Sequence, residues 1–288
     1  MGSLWAYYLS LAQEEVYLIS RESPHKHLKI VLKSHPKLPA QSIKQRTARQ
    51  LTTIDIVLVC VKSYQLEEAL LSIKKALSPS SIVLLLQNGM GHDQKAQGLL
   101  PDSQILLASN THGAYRLKEN HLIHAGQGQL LLGPANKPNC LETLFSLIKR
   151  LQNALPEVFW RPHIYPILWK KLAINAVINP LTALNNCRNG ELLTQRNIQN
   201  EIITLIEEMS PIIHSYCPEL SYVDLYNEII TVASSTASNY SSMQQDVALK
   251  RTTEIMEING FLIESAKKLG KSLPKHQQLV DAIRQSSH

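Results

Sequence analysis

A lysine and two asparagines recur at intervals of four residues in one apolar stretch, as Lys171, Asn175 and Asn179. The apolar residues around them recur at helical spacing, so the sequence predicts a helix over residues 165–184. Each step of four residues turns about 40° around a helix, so the three polar side chains span an arc of roughly 80° on one face. That face offers one ammonium and two amides to a polar ligand outside the helix.

The alternative is a solvated stripe, with Lys171 in water and the asparagines at the helix ends. Asparagine is a mediocre helix former that competes for its own backbone, so two of them within an apolar helix suit a solvent face poorly. A polar-ligand site is the favoured interpretation, and the stripe stays open.

The length and composition indicate an ordinary globular protein. The chain has 288 residues, 44% hydrophobic and 18% charged, which is enough for two domains with separate cores. Its longest apolar runs, at 56–61 and 82–86, are far shorter than the roughly 20 residues of a membrane span. The first residues carry no basic charge, which argues against a secretory signal. We expect a cytoplasmic protein without a membrane span.

The net charge indicates which partners the chain can bind, and the cysteines indicate whether it holds disulfides or a metal. A net charge of +6 favours anionic partners, but no basic run is interleaved with aromatic residues, so small anions fit at least as well as nucleic acid. The cysteines form no C-x-x-C pair, which indicates reduced thiols rather than disulfides or a zinc site. They are Cys60, Cys140, Cys187 and Cys217. We expect neither a metal site nor a nucleic-acid partner.

The apolar pattern changes character near residue 160. Before this point, continuous apolar runs are typical of strands buried on both faces of a parallel sheet. These runs lie at 55–61, 82–86 and 104–108. After it, strand signals vanish and helical periodicity takes over. The helical segments are 165–184, 195–215, 223–237 and 244–268. We predict an α/β domain over residues 1–160 and an all-helical domain over 161–288.

Weaker patterns predict the remaining elements of the first domain. Residues 4–12 read as a short helix and residues 16–20 as a strand, and residues 22–53 as irregular or short-stranded. Residues 122–132 alternate and are broken by two glycines, which predicts an antiparallel hairpin. A helix over 140–152 and a strand near 157–160 complete the domain.

A glycine and an arginine near the start have the spacing of a nucleotide-binding unit. Gly2 precedes the first helix, and Arg21 follows the first strand 19 residues later. In such a unit the last glycine of the phosphate loop precedes the helix, and an arginine about 20 residues on holds the 2'-phosphate of NADP. The strand and glycines that usually come before are absent, so a surface helix followed by an edge strand explains the pattern about as well.

Polar groups follow two of the buried strands. Lys62 comes after the first, and the turn Gln87-Asn88-Gly89-Met90-Gly91 comes after the second. Open α/β sheets bind ligands at the carboxyl edge of their strands. The alternative for the second motif is a plain tight turn, for which Asn-Gly is a common dipeptide.

Two more polar positions stand out in the helical half. Ser242 lies at a predicted helix start, where serine is usually a cap. Glu254 lies on the helix behind it, where a lone glutamate is usually solvated. Neither position indicates a function by itself.

Taken together, the motifs resemble the ketopantoate reductase (2-dehydropantoate 2-reductase) family, in the family's order and over nearly the whole chain. The most specific are the lysine helix, with WKKLAIN at 169–175 and INPLTA at 178–183, and the two carboxyl-terminal motifs. The full set lies at 61–65, 87–91, 111–114, 169–175, 178–183, 189–192, 241–243, 253–255 and 258–260.

The resemblance implies an NADPH-dependent reduction of ketopantoate to pantoate in pantothenate and coenzyme A biosynthesis. It implies a Rossmann-type domain followed by an all-α domain, with the site in the cleft between them, in a monomer or homodimer. Lys171 would be the general acid. The substrate would be held by Asn88, Lys171, Asn175, Asn179, Asn189 and Ser242. The cofactor would be lined by Gly2, Arg21, Lys62, Asn88, Ala114 and Glu254.

This chemistry suits the residues. Hydride transfer to the ketone carbon of a 2-oxo acid builds negative charge on oxygen, and a partly desolvated ammonium can stabilise that charge and donate the proton. The asparagine amides would orient a small polar acid without adding charge.

The departure from the family is at the start, where the first strand and most of the glycine-rich loop are missing. We therefore expect either an N-terminally truncated Rossmann-type domain of an ordinary reductase or a relative with weak cofactor affinity. Two other functions stay open: a non-catalytic protein of the same fold, and a reductase of another 2-oxo acid.

Overall fold

A computed structural model of the chain describes residues 1–21, 27–118, 120–136, 141–155 and 157–286. It divides into two compact units, the first formed by Met1–Gln87 and His92–Ile164 and the second by Asn88–Gly91 and Tyr165–His288. The expectations for Cys140 and for residues 22–26 lie outside the described residues. Cys60, Cys187 and Cys217 are free thiols.

The first unit alternates strands with helices. Its strands are β1 (Tyr17–Ile19), β2 (His27–Leu32), β3 (Gln41–Arg46), β4 (Ile54–Val59), β5 (Leu77–Leu85), β6 (Gln104–Asn110), β7 (Gly113–Lys118), β8 (His121–Gly126), β9 (Leu130–Pro134) and β10 (Val158–Trp160). Its helices are α1 (Gly2–Leu11), α2 (Leu66–Ile73), α3 (His92–Leu99) and α4 (Leu141–Ala154), with short 3-10 helices at Ala48–Gln50, Ser63–Gln65 and Lys74–Ala76.

The strands form two sheets. One has the order β1-β3-β2-β8-β7 and the other the order β10-β9-β6-β5-β4. In the second sheet β4, β5 and β6 are parallel, with Val57 opposite Val83 and Val83 opposite Ile105. The paired central parts of these strands, at 56–59, 82–85 and 105–108, are apolar, as is typical of a parallel sheet covered on both faces. The parallel runs predicted from the sequence are confirmed, and their carboxyl ends share one edge.

Helix α1 supplies much of the first unit's core. Leu4, Trp5 and Tyr7 are fully buried and belong to one apolar cluster with residues of both sheets and of α4. Burying such side chains stabilises the fold by roughly 1.5–3 kcal/mol each. The predicted helix over 4–12 and strand over 16–20 correspond to α1 and β1.

The predicted hairpin over 122–132 is wrong. Strand β8 pairs with β7 instead, while β9 pairs with β6 and β10. The chain passes from one sheet to the other at Thr111 and again at Gly128. At this point the N–H of Thr111 donates to the carbonyl of Gln129. The two segments lie so close that a Cβ on Gly128 would be 2.4 Å from the carbonyl carbon of Thr111. The two glycines therefore mark a crossing between sheets and not a turn. Within residues 27–53, β2 and β3 agree with the short strands predicted there.

The second unit is helical. Its elements are α5 (Tyr165–Leu184), a 3-10 helix (Asn189–Leu193), α6 (Arg196–Tyr216), α7 (Tyr222–Ser235), α8 (Ser242–Ala248), a π-helix (Met256–Gly260), α9 (Phe261–Lys268) and α10 (Pro274–Ser286). Helix α5 is central, since it contacts α6, α7, α8, α10 and both short helices. Across the described ranges, no helix has both the length and the apolar character of a membrane span.

The helix predicted over 165–184 is confirmed at both ends, and the one over 195–215 agrees with α6 within a residue. The single helix predicted over 244–268 is wrong. Helix α8 ends at Ala248 because Lys250 has φ 50°, a left-handed backbone that an α-helix does not accommodate. Helix α10 has no counterpart in the prediction.

Candidate active site

Aromatic and ionic contacts of the two residues before Lys171 hold this part of helix α5 in place. The ring of Trp169 stacks on Tyr216, with centroids 4.7 Å apart, and meets Phe261 at 5.7 Å. Lys170 forms an ion pair with Glu228 of α7. The next residue, Lys171, is only half-buried and begins the row that continues with Asn175 and the buried Asn179.

The pKa of Lys171 lies well below that of a solvated lysine. Burial lowers the pKa of Lys171 from 10.5 to about 8, and the neighbouring Glu254 carboxylate opposes that shift. Glu254 is only 5% exposed, so the structure excludes the interpretation of this residue as a solvated glutamate. An ammonium that is easily deprotonated near neutral pH is suited to acid–base chemistry.

The Asn88 turn joins this cluster. The amide Nδ2 of Asn88 donates to Oε2 of Glu254 at 3.3 Å, and the backbone N–H of Met90 donates to the carbonyl of Glu257 at 3.1 Å. Gly89 has φ +86°, and a Cβ there would lie 2.3 Å from the carbonyl oxygen of Glu257. The Asn-Gly sequence is therefore more than a plain tight turn, since its glycine allows a close approach that places Asn88 beside Glu254.

Pro180 interrupts the hydrogen bonds of α5 one turn beyond Asn175. A proline has no N–H, so the carbonyl of Ala176 loses its partner within the helix. The buried side chain of Asn259, in the π-helix, donates from Nδ2 to that carbonyl at 2.8 Å. Asn259 thus satisfies a group between Asn175 and Asn179.

His276 fixes the orientation of Asn259. Its Nε2 bonds the carbonyl of Leu205 at 3.2 Å, so Nε2 carries the proton and Nδ1 accepts from Asn259 Nδ2 at 3.0 Å. Burial lowers the pKa of His276, which favours this neutral form. Both hydrogens of the Asn259 amide are therefore used.

The two other predicted substrate residues lie on neighbouring elements. Ser242 is exposed at the first position of α8, and Ser241 is the residue that caps that helix by accepting from the N–H of Gln244. The hydroxyl of Ser241 also lies 2.7 Å from that of Thr182 on α5. Asn189 is buried at the start of the 3-10 helix.

In the first unit, positive charges lie near the start of α1. The pKa of the amino group of residue 1 is lowered, mainly by burial and further by the charges of Arg116 and Lys62. The guanidinium of Arg116 also bonds the hydroxyl of Ser3. A Cβ on Gly2 would lie 3.2 Å from that of Cys60, so the helix start passes close to the end of β4. Backbone N–H groups and cations at a helix start suit phosphate groups.

The remaining predicted cofactor residues lie elsewhere in this unit. Ala114, in β7, is packed against the apolar cluster that holds α1. Arg21, at the carboxyl end of β1, pairs with Glu68 of α2 at 2.5 Å, and both side chains are exposed.

The structure thus brings Lys171, Glu254 and Asn88 together, although they are far apart in sequence. It places Arg21 against a carboxylate, which the sequence did not predict. No sequence pattern predicts a role for His276, and Asn259 is predicted only as part of the motif at 258–260. A signal for Asn259 existed, because a proline inside a helix leaves a carbonyl that needs a donor.

Comparison with known proteins agrees with the resemblance. The family model described as Ketopantoate reductase PanE/ApbA matches residues 1–137, and the model of its C-terminal part matches residues 163–287. The 2-dehydropantoate 2-reductase of Vibrio cholerae is 33% identical over 285 residues, 99% of this chain and 94% of the relative. The enzyme of that name from Shigella flexneri is 37% identical over 234 residues, 81% of this chain and 75% of the relative.

Among solved structures, a D-mandelate dehydrogenase in a ternary complex with NADH and anilino(oxo)acetate has the same fold. Its TM-score is 0.89 at 21% identity, over 100% of this chain and 95% of that one. The two family models together match most of the sequence, and the two relatives are 33% and 37% identical over 99% and 81% of it, so this chain belongs to the ketopantoate reductase PanE/ApbA family.

Proposed function

We propose that this chain reduces 2-dehydropantoate to pantoate with NADPH, a step of pantothenate and coenzyme A biosynthesis. Beyond family membership, the observation that carries the proposal is the state of Lys171. This half-buried ammonium has a pKa of about 8 and lies near the buried carboxylate of Glu254. Its helix, α5, also carries Asn175 and Asn179.

Lys171 is the proton donor in this proposal. When bound, NADPH supplies the hydride that goes to the ketone carbon of the substrate. Lys171 stabilises the negative charge that develops on the ketone oxygen and gives its proton to it. Glu254 keeps Lys171 protonated near neutral pH, because it opposes the effect of burial on the pKa.

Asn175, Asn179, Asn189 and Ser242 bind the substrate in this proposal. Amides and hydroxyls can bond a carboxylate, a ketone and a hydroxyl without adding a charge that competes with Lys171. Asn88 bonds Glu254 and is thereby held beside the proton donor.

The residues of the first unit fit an anionic dinucleotide. Gly2, Lys62 and Arg116 lie at the start of α1, where cations and backbone N–H groups favour a pyrophosphate. Arg21 supports the choice of NADPH over NADH, because a guanidinium can bind the 2'-phosphate. Its exposed ion pair with Glu68 is weak enough to exchange for a phosphate.

The test is NADPH oxidation by the purified chain with 2-dehydropantoate, using two adjacent lysines as a matched pair. Lys171→Ala should lower kcat by about 10²–10⁴-fold, the usual contribution of a positioned acid. Lys170→Ala should change kcat by less than about twofold, because Lys170 only forms a surface ion pair. A Lys171→Ala enzyme that keeps more than about a tenth of the activity would contradict the proton-donor role.

Two further measurements separate the alternatives. A panel of 2-oxo acids identifies a reductase of another substrate if one of them reacts much faster than 2-dehydropantoate. NADPH binding without turnover of any 2-oxo acid would indicate a non-catalytic relative. For the cofactor, Arg21→Ala should weaken NADPH binding and leave NADH binding unchanged, whereas an equal effect on both would remove Arg21 from the 2'-phosphate.

A further inference from the structure

The side chain of Asn189 has one satisfied end and one unsatisfied end. The residue is 7% exposed, and its Nδ2 donates to the hydroxyl oxygen of Thr236 at 2.8 Å. Within the described residues its Oδ1 is buried without a hydrogen-bond partner. A buried acceptor without a donor is unfavourable, so such an atom needs an explanation.

The proton of the Thr236 hydroxyl decides which end of the amide faces it. The hydroxyl oxygen lies 2.6 Å from the carbonyl of Val232, one turn earlier in α7. A carbonyl cannot donate, so the hydroxyl proton lies in that contact. Towards Asn189, Thr236 offers only lone pairs, and these bind the amide nitrogen. The reverse orientation of Asn189 would set two acceptors against each other.

Main-chain bonds hold these two residues in register. The N–H of Asn189 donates to the carbonyl of Asn239 at 2.9 Å, and the N–H of Gly190 donates to that of Ala237 at 3.2 Å. A Cβ on Gly190 would lie 2.5 Å from the Cβ of Ala237. The segment after α7 thus approaches the 3-10 helix as closely as a glycine permits, and the Asn189 amide has little freedom to turn.

We propose that Thr236 is a positioning residue for substrate choice, holding the Asn189 amide so that its oxygen accepts a hydrogen bond from a ligand hydroxyl. This rests on the proposed function and on Asn189 as a substrate residue. 2-Dehydropantoate has three polar groups, and its carboxylate and ketone only accept. Its 4-hydroxyl is the one group that donates, so it is the group that pairs with Asn189 Oδ1.

The pairing predicts discrimination against a substrate without that hydroxyl. 3,3-Dimethyl-2-oxobutanoate is 2-dehydropantoate with hydrogen in place of the 4-hydroxyl. A site built to bond a hydroxyl rejects the analogue that lacks it, because its buried polar atom stays unpaired. The wild-type enzyme should therefore prefer 2-dehydropantoate in kcat/KM by at least about a hundredfold.

The test is Thr236→Val, which keeps the shape and removes the acceptor. It should lower kcat/KM for 2-dehydropantoate by about tenfold or more and change that for the deoxy analogue by less than about twofold. Thr236→Ser, which keeps the hydroxyl, should restore the preference. Thr204→Val is the matched control, because the Thr204 hydroxyl makes the same backward bond, to the carbonyl of Asn200 at 3.0 Å, from a different helix, α6.

An equal loss of kcat/KM on both substrates would mean that Thr236 is only structural and would overturn the proposal, as would an unchanged preference in Thr236→Val. Calorimetric binding of pantoate and of its 4-deoxy analogue, 2-hydroxy-3,3-dimethylbutanoate, gives the same comparison without turnover. If the wild type reduces neither keto acid, the proposed function fails, while the ratio of the two Kd values still tests Thr236. Wild-type protein that binds both hydroxy acids equally, or neither, overturns the proposal.

Discussion

The rate of ketone reduction should fall above pH 8, because Lys171 must be protonated to donate. A solvated lysine has a pKa of 10.5, and burial lowers that of Lys171 to about 8, although Glu254 opposes the change. With this pKa, about nine-tenths of the enzyme is protonated at pH 7 and about a tenth at pH 9. Because the protonated form of Lys171 is the active one, kcat/KM should be constant well below pH 8 and fall about tenfold per pH unit above it.

The assay is kcat/KM for 2-dehydropantoate at saturating NADPH from about pH 6 to pH 10.5, with circular dichroism at each pH to confirm that the protein stays folded. In the reverse direction, oxidation of pantoate needs the neutral amine, so its rate should rise through the same pKa. Lys171→Arg supplies the control, because a guanidinium does not titrate in this range. Any residual activity of this variant should not show the decrease of kcat/KM at high pH, which is called the alkaline limb of the profile. A limb near pH 10.5, or a profile that stays flat to that pH in the wild type, would refute the reasoning.

Two further predictions concern the groups around α5. Glu254→Gln removes the charge that raises the pKa of Lys171, so the alkaline limb should move to lower pH in the same assay; a limb that stays or moves upward would contradict this. Asn259→Ala leaves the Ala176 carbonyl without its donor and should lower the free energy of unfolding by about 1–3 kcal/mol in urea titrations. In a Pro180→Ala background the restored N–H can bond that carbonyl, so the loss should be smaller, whereas strictly additive effects would argue against the contact.

The sequence predicts α5 well because two independent signals coincide there. Apolar periodicity sets the helix over 165–184, and the lysine and asparagines stand out against it. The pairing of Asn88 with Glu254 has no such local signal, since the two residues are 166 positions apart. The family resemblance predicts only that both residues line the cofactor, and Glu254 by itself reads as an ordinary surface glutamate.

The two errors in the fold have different physical causes. The hairpin over 122–132 is wrong because alternating apolar residues and glycines predict strands and a break between them, but not which strands pair. Here the glycines lie where the chain crosses between the two sheets. The helix over 244–268 fails because the chain leaves α8 at Lys250, whose left-handed backbone lets the N–H of Arg251 bond the carbonyl of Asp246. Such a helix end usually carries a glycine, and here a lysine gives no such signal.

The same limit applies to the atoms that meet a ligand. Pro180 implies that one carbonyl of α5 needs an outside donor, yet only the fold identifies Asn259 as that donor. In the proposed substrate site Asn189 supplies an amide, yet the hydroxyl proton of Thr236, bound to a carbonyl in α7, decides that this amide keeps its oxygen free of Thr236. Residue types therefore predict which chemical groups line the site, while tertiary hydrogen bonds decide which of their atoms remain available. A hydrogen-bond donor selects an acceptor on the ligand, and an acceptor selects a donor. Substrate specificity therefore depends on the tertiary hydrogen bonds that decide which atoms remain available.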